Sequence, residues 1–473
     1  MSKIDIEALV EQIIKGSQLN TPSSPEGGEV SASNGSGAGG VFHTVDEAVA
    51  AAKEAQKKYF HTSLARRKKV IQAIRDGLAP KVEELAERAY EETGMGNVED
   101  KIVKNRLAVT QTPGVEDLKT EIITGDAGMT LYELCPYGVI GAIAPSTNPT
   151  ETLICNTIGM LAAGNAVYFS PHPGAKQTSI WLVRLLNKIV KDASGIDHLI
   201  ATIDEPSIQA AQEMMVHPDI NLLVVTGGPG VVRQAMMSGK KVLGAGAGNP
   251  PAIVDETAVI EKAAADIVAG AAFDNNILCI AEKNIVVVES IADFLSFQME
   301  KAGAVIINEL KTIKKLEELV LTSDGKPNKA YIGKPAAHIL QSAGIPFSGN
   351  PKLAVVVTTP EHPFAVEEML MPVVPFIHTP DFDTALEVAL ELEQGLHHTA
   401  TMHSQNVTRL NKAARAMKTS IFVKNGPSYA GLGFKGEGST TFTIATPTGE
   451  GTTTARHFAR TRRCVLTDGF SIK

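Results

Sequence analysis

Two spacings of apolar residues divide the chain. From Val45 to Glu92 apolar positions recur at helical intervals among many Ala, Lys, Arg and Glu, with no glycine before Gly77, which predicts a run of helices. Beyond Val139, short β-branched runs take over: Val139–Ala144, Ala166–Phe169, Leu222–Thr226, Asn284–Val288, Leu353–Thr358 and Ile421–Lys424. Helical stretches separate them. Strands alternating with helices imply parallel sheets with crossover helices, so the fold class is α/β.

The first residues follow a different logic. Ile6, Leu9, Val10, Ile13 and Ile14 fall on one helical face and Glu7, Glu11, Gln12 and Lys15 on the other, which predicts an amphipathic helix within residues 1–19. The stretch 20–41, rich in Gly, Ser and Pro, is too polar to order itself and reads as a tether. An apolar stripe on a tether must be covered, either by a partner or by its own subunit, and the tether favours a partner. Asp5, Glu7 and Glu11 outnumber the basic residues there, which argues against a mitochondrial targeting helix.

Composition narrows the class. A chain of 473 residues with 44% hydrophobic positions supports two or three domains and excludes a small disulfide-stapled module. With 44 basic against 52 acidic residues the net charge is −8, so no field gathers nucleic acid or an anionic membrane. Cys135, Cys155, Cys279 and Cys464 form no Cys-x-x-Cys pair, which argues against a zinc site or a disulfide framework and fits a reducing cytosol. No apolar run reaches the ~18 residues of a membrane span, and no secretory signal opens the chain, so a soluble intracellular protein is expected.

Several segments carry candidate chemistry. Cys279 stands between a helical stretch, Ala263–Phe273, and the strand from Asn284, a boundary where a thiol faces a cleft and acts as a nucleophile; the same place suits a small buried hydrophobe. Thr226, Gly227 and Gly228 lie where a buried strand runs through glycines into a helix, an arrangement that lets backbone approach a phosphate or simply makes a tight turn. The run Leu243–Pro251, with Gly244, Gly246 and Gly248, reads as a narrow wall between the nucleotide site and the cysteine. Glu367 and Glu368 precede a strand interrupted by Pro372, where a carboxylate either holds ribose hydroxyls or is merely solvated.

Taken together, these segments resemble the aldehyde dehydrogenase superfamily from about Val41 to the C-terminus. Pro145–Pro149 looks like the family's Pro-x-Asn-x-Pro segment, Thr226–Gly228 like its glycine turn, Cys279 like its nucleophile, and Glu368, four residues before Pro372, like its ribose-holding glutamate. Ser170, Pro171 and His172 are similar to a cofactor-binding strand end of the CoA-acylating branch, in particular the propionaldehyde and acetaldehyde dehydrogenases of bacterial microcompartments. The resemblance implies a Rossmann-type NAD-binding domain (42–126 and 139–243), an α/β catalytic domain (244–447) and a β-arm (127–138 and 448–473). That arm implies a homodimer or tetramer, and the first 19 residues are similar to encapsulation peptides that dock on shell proteins.

The implied reaction is NAD-dependent oxidation of a short-chain aldehyde to an acyl-CoA, propionaldehyde ahead of acetaldehyde, inside a cytoplasmic microcompartment. Hydrolytic members of the family carry a glutamate where an ungapped count on Pro250 places Gly244, and no acid occurs in Leu243–Pro250. Without that base, water attack loses about 10²- to 10⁴-fold, and a thiol such as CoA becomes the favoured acceptor. The oxyanion-stabilising asparagine falls on Thr147 with Asn148 beside it, and Asn148 is the better donor. His398 matches a histidine that deprotonates the incoming thiol or is merely structural. A hydrolytic dehydrogenase and a catalytically silent shell-binding scaffold are the rival readings.

Overall fold

Side-chain caps cut the first helical run into pieces. In the computed structural model, which describes residues 37–469, Thr44, Ser63 and Asn97 accept backbone N–H groups of Glu47, Arg66 and Asp100, starting helices at Val45–Phe60, Leu64–Leu78 and Val98–Gln111. Between the last two runs Val82–Thr93, closed by Gly94 in the left-handed conformation at φ 63°. The amphipathic segment expected over 1–19 and most of the tether lie outside the described residues; Gly37–Val41, read as the end of that tether, belong instead to the folded unit.

The strands of the first half are β1 (Val41–Phe42), β2 (Glu121–Gly125), β3 (Gly128–Pro136), β4 (Val139–Ala144), β5 (Ala166–Pro171), β6 (Ile200–Ile203), β7 (Ile220–Thr226) and β8 (Val242–Ala245). Six of them form a parallel sheet in the order β1-β6-β5-β4-β7-β8. β4 and β5 are buried along their whole length, as strands covered on both faces must be, which explains their unbroken apolar runs.

A second parallel sheet holds β9 (Pro251–Val254), β10 (Asn284–Val288), β11 (Ala304–Ile307), β12 (Leu353–Val357), β13 (Val373–Thr379), β14 (Thr399–His403) and β15 (Ile421–Lys424), in the order β11-β12-β13-β10-β9-β14-β15. Short β16 (Ile444–Ala445) and β17 (Gly451–Thr452) pair with each other. β18 (Ala459–Thr467) pairs antiparallel with β3, from Ala459 opposite Pro136 to Thr467 opposite Gly128.

The arm differs from its expected bounds. β2, placed by sequence in the cofactor domain, pairs with β3 and belongs to the arm. Residues 448–458, placed in the arm, return to the first core: Ala455 and Phe458 are buried there, and a Cβ on Gly159 would come within 2.7 Å of the Phe458 ring. Apolar Phe458 finds its place against a helix, Pro149–Ala162, that is buried at every position. No described helix is long and apolar enough to cross a membrane.

Candidate active site

The carboxyl ends of β4, β5 and β7 converge on one cleft of about 530 Å³, the usual ligand position in open parallel sheets. Thr147 and Asn148 follow β4, Ser170, Pro171 and His172 end β5, and Thr226, Gly227 and Gly228 end β7; all of them line it. From the second sheet's side come Cys279 and Glu368, and Gly246 and Ala247 form part of the wall. The structure thus gathers every expected site residue except His398.

Cys279 owes its position to a strained turn. After the helix Ile260–Ala272, Asp274, Asn275 and Asn276 take φ of 48°, 53° and 64°, in the left-handed region that Asn and Asp tolerate better than most residues. Their side chains hold it. Asp274 Oδ1 accepts the Asn97 N–H at 2.9 Å, Asn275 Nδ2 donates to the Gly96 and Gly333 carbonyls at 2.9 Å each, and Asn276 Nδ2 donates to the Ala271 carbonyl at 2.6 Å. Such turns persist where their surroundings over-determine them, commonly at functional sites.

The local electrostatics hold the thiol back. Burial pushes the Cys279 thiol up to about 12, the Glu368 carboxylate adds to this, and Lys283 opposes it. Lys283, itself pushed down to about 8 by burial, donates to the Asn276 carbonyl and Oδ1 at 2.6 Å each. Glu368 Oε1 accepts the Gly248 N–H at 3.3 Å, and burial raises its pKa against the opposing charge of Lys283. Glu367 instead pairs with Lys326 at 2.7 Å on the surface. The wall 243–251 carries no acid, yet an acid does reach it, from a different element.

Two expectations change. Gly244 lies within β8 and off the cleft; a Cβ there would meet Val232 Cγ1 at 2.8 Å and one on Gly246 would meet Pro447 Cγ at 3.2 Å, so neither is an open place for a carboxylate, whereas Ala247 already carries a Cβ on the cleft wall. His398 sits behind the cleft rather than on it. A Cβ on Gly248 would come within 2.7 Å of the Cys279 carbonyl oxygen and 2.8 Å of His398 Cγ, so only glycine allows this packing. The ring is 1% exposed and pushed down to about 4 by burial and by Lys283, with Nδ1 3.0 Å from Thr399 Oγ1.

Asn148 starts the helix Pro149–Ala162 without capping it by its side chain. Its Oδ1 accepts from Lys104 Nζ at 2.7 Å, and its Nδ2 donates to Thr147 Oγ1 at 3.2 Å. Lys104 was not foreseen, although a signal existed: Lys101, Lys104 and Ala108 share the buried stripe of one helix at helical spacing. Lys329, also unforeseen, lines the cleft and with burial lowers the pKa of His172, whose Nδ1 accepts the Gly174 N–H at 3.0 Å and so leaves the proton on Nε2. Leu432 and Phe442 supply apolar lining from the C-terminal stretch.

The glycine turn fits a dinucleotide. A Cβ at Gly228 or Gly230 would meet no atom within 4 Å, and no side chain caps the helix Pro229–Met236 that starts there, so bare backbone faces the cleft.

Residues 36–442 match the model of the aldehyde dehydrogenase family. The chain belongs to that family. A propanal dehydrogenase (CoA-propanoylating) of Salmonella typhimurium is 52% identical over 478 residues, covering 100% of each chain. A crystal structure of Rhodopseudomonas palustris propionaldehyde dehydrogenase, with bound CoA and an acylated cysteine, superposes with a TM-score of 0.89 at 50% identity, over 91% of this chain and 98% of that one. A propionaldehyde dehydrogenase from the fucose utilisation microcompartment of Clostridium phytofermentans gives a TM-score of 0.90 at 47% identity, over 92% and 100%. In this aldehyde dehydrogenase burial holds the cysteine's proton on the sulfur and a neighbouring acid adds to that hold. Replacing Glu368 by Gln removes the charge that opposes the thiolate, so the midpoint of Cys279 alkylation by iodoacetamide should move to lower pH, with a several-fold faster rate at pH 8; an unmoved midpoint would refute the coupling.

Proposed function

We propose that the chain oxidises a short-chain aldehyde, propionaldehyde ahead of acetaldehyde, to its acyl-CoA. The observation that carries this reading is a cleft lined by Cys279 and Asn148 together, whose wall from Leu243 to Pro251 has no acid of its own. The names of the relatives, CoA-propanoylating and propionaldehyde dehydrogenase, support the same reaction.

The Cys279 thiol gives its proton to solvent water, Sγ forms a bond to the aldehyde carbon, and the carbonyl π electrons move to oxygen. Asn148 Nδ2–H and the Cys279 backbone N–H meet the negative charge that develops there, which is where such donors act. The carbon then loses a hydride and becomes an acyl thioester on Cys279. Bound NAD supplies the acceptor for that hydride. A CoA thiolate next adds to the acyl carbon and Cys279 Sγ leaves, so one thioester replaces another.

A bound dinucleotide would be held by the backbone of Gly227 and Gly228 at its phosphates, by Ser170, Pro171 and His172 at its adenosine, and by the Glu368 carboxylate at a ribose hydroxyl. Both co-substrates are polyphosphates, and Lys329 with the Nε2–H of His172 offers them donors on one lining. Phe442 and Leu432 leave apolar surface for a short alkyl chain. His398 packs with the backbone of Cys279 against Gly248, and its lowered pKa of about 4 makes it a weak base toward an incoming thiol, which favours the structural role.

The open edges of the β2–β3–β18 arm, with Ile122, Ile123 and Val465 exposed in one chain, support assembly as a dimer or a tetramer of dimers. The microcompartment origin of one relative supports docking of residues 1–19 on a shell protein and location inside such a compartment in the cytoplasm.

Formation of NADH from propionaldehyde should require CoA for turnover and vanish in Cys279→Ala; CoA-independent turnover would favour a hydrolytic enzyme. Ala247→Glu places a carboxylate at an open wall position and should raise hydrolysis of the acyl-enzyme by about 10-fold or more, read as free acid released without CoA; no increase would count against the missing-base argument. Removing Met1–Leu19 should leave kcat unchanged and abolish co-purification with shells, whereas loss of both would contradict a separate docking segment.

A further inference from the structure

Beneath the cleft lies a buried charged cluster that the reaction as written does not use. Lys104, 1% exposed, directs its ammonium group at three acceptors: Asn148 Oδ1 at 2.7 Å, Asp274 Oδ2 at 2.5 Å and Glu151 Oε1 at 3.2 Å. Three protons meet three acceptors. Asp274 belongs to the turn that delivers Cys279, and Glu151 lies in the first turn of the helix that Asn148 begins. Lys101 reaches the same Asp274 oxygen at 3.1 Å.

An ammonium group only donates hydrogen bonds, so the atom of Asn148 that faces Lys104 must be its carbonyl oxygen. The amide N–H₂ is thereby turned to the other side. A free asparagine side chain flips its amide with little preference; this one has a fixed polarity. A position that would ordinarily cap the helix with its side-chain oxygen has surrendered that bond to Lys104.

We propose that Lys104 is a positioning residue of the reaction: it fixes the Asn148 amide with Nδ2–H₂ toward the reacting oxygen, and through Asp274 ties that donor to the turn carrying Cys279. This rests on the oxyanion role given to Asn148 above. Lys104 itself touches neither substrate nor cofactor. Its effect passes through one amide and one carboxylate, which keeps donor and nucleophile in a common frame; displacements of about 1 Å in such frames cost on the order of 10²-fold in rate.

The test is a double-mutant cycle on the full-length enzyme. Lys104→Met combined with Glu151→Gln removes one positive and one negative charge and so preserves the charge balance of the cluster. Because loss of one oxyanion donor costs about 10²- to 10³-fold in kcat, the pair should lower kcat by about 10- to 100-fold, with the KM for aldehyde little changed and the melting curve still cooperative. In an Asn148→Ala background the same pair should cause no further loss, a non-additivity that a purely structural role does not produce. An undiminished kcat in the folded pair variant, while Asn148→Ala is impaired, overturns the proposal and spares the oxyanion reading. A fully additive loss in the Asn148→Ala background overturns it as well. If Asn148→Ala alone keeps full kcat, the oxyanion reading fails, and the single variant reveals this by itself. Should the pair variant not fold, the cycle is run with Lys104→Gln, which retains a donor to Asn148 and should lower kcat by about threefold without additivity; an additive or absent effect decides against the proposal.

Discussion

One carboxylate oxygen, Oδ2 of Asp274, receives two buried ammonium groups, and the geometry of the cleft depends on that arrangement. Burial alone would favour the neutral acid, but Lys104 and Lys101 outweigh it and hold Asp274 below the usual carboxylate range. Lys104 is likewise held above its ordinary value against burial by Asp274 and Glu151. Removing one member of such a cluster strands a buried charge, commonly at a cost of about 3–5 kcal/mol. An apolar cluster of the same volume would serve stability as well. What charges add is direction, because each bond has a donor end and an acceptor end.

Direction is also the theme around the sulfur. Lys283 and Glu368 pull the Cys279 proton in opposite ways, and burial sides with the acid. Both burial and Glu368 thus favour the protonated thiol over the thiolate.

The sheets were legible because buried parallel strands are written as short apolar runs rich in β-branched residues: β4 and β10, buried throughout, and the partly buried edge strand β15 fall on the expected residues, and β5, β7 and β12 differ by a residue or two at their ends. The arm was less so. β2, Glu121 to Gly125, is short and exposed despite Ile122 and Ile123, and only its register against β3 reveals its membership. At the site, residues on strand ends were found through local motifs, since a glycine turn or a loop cysteine is a short-range signal. Lys104, Lys329 and the Gly248–His398 contact depend on segments far apart in sequence meeting in space. Gly244, which the count on Pro250 sets in the place of the hydrolytic members' glutamate, lies inside β8 against Val232, a contact that spacing alone does not reveal.

The arm's two borders are not equally guarded. Along β18, Arg460, Arg462 and Arg463 interrupt the row of peptide groups with charge, a common defence of an outer strand. β2 has Ile122 and Ile123 exposed at 58% and 62% and only Glu121 as a charge. In a lone chain that border is a template for stray pairing, so freshly made chains at high concentration are most prone to aggregate through β2.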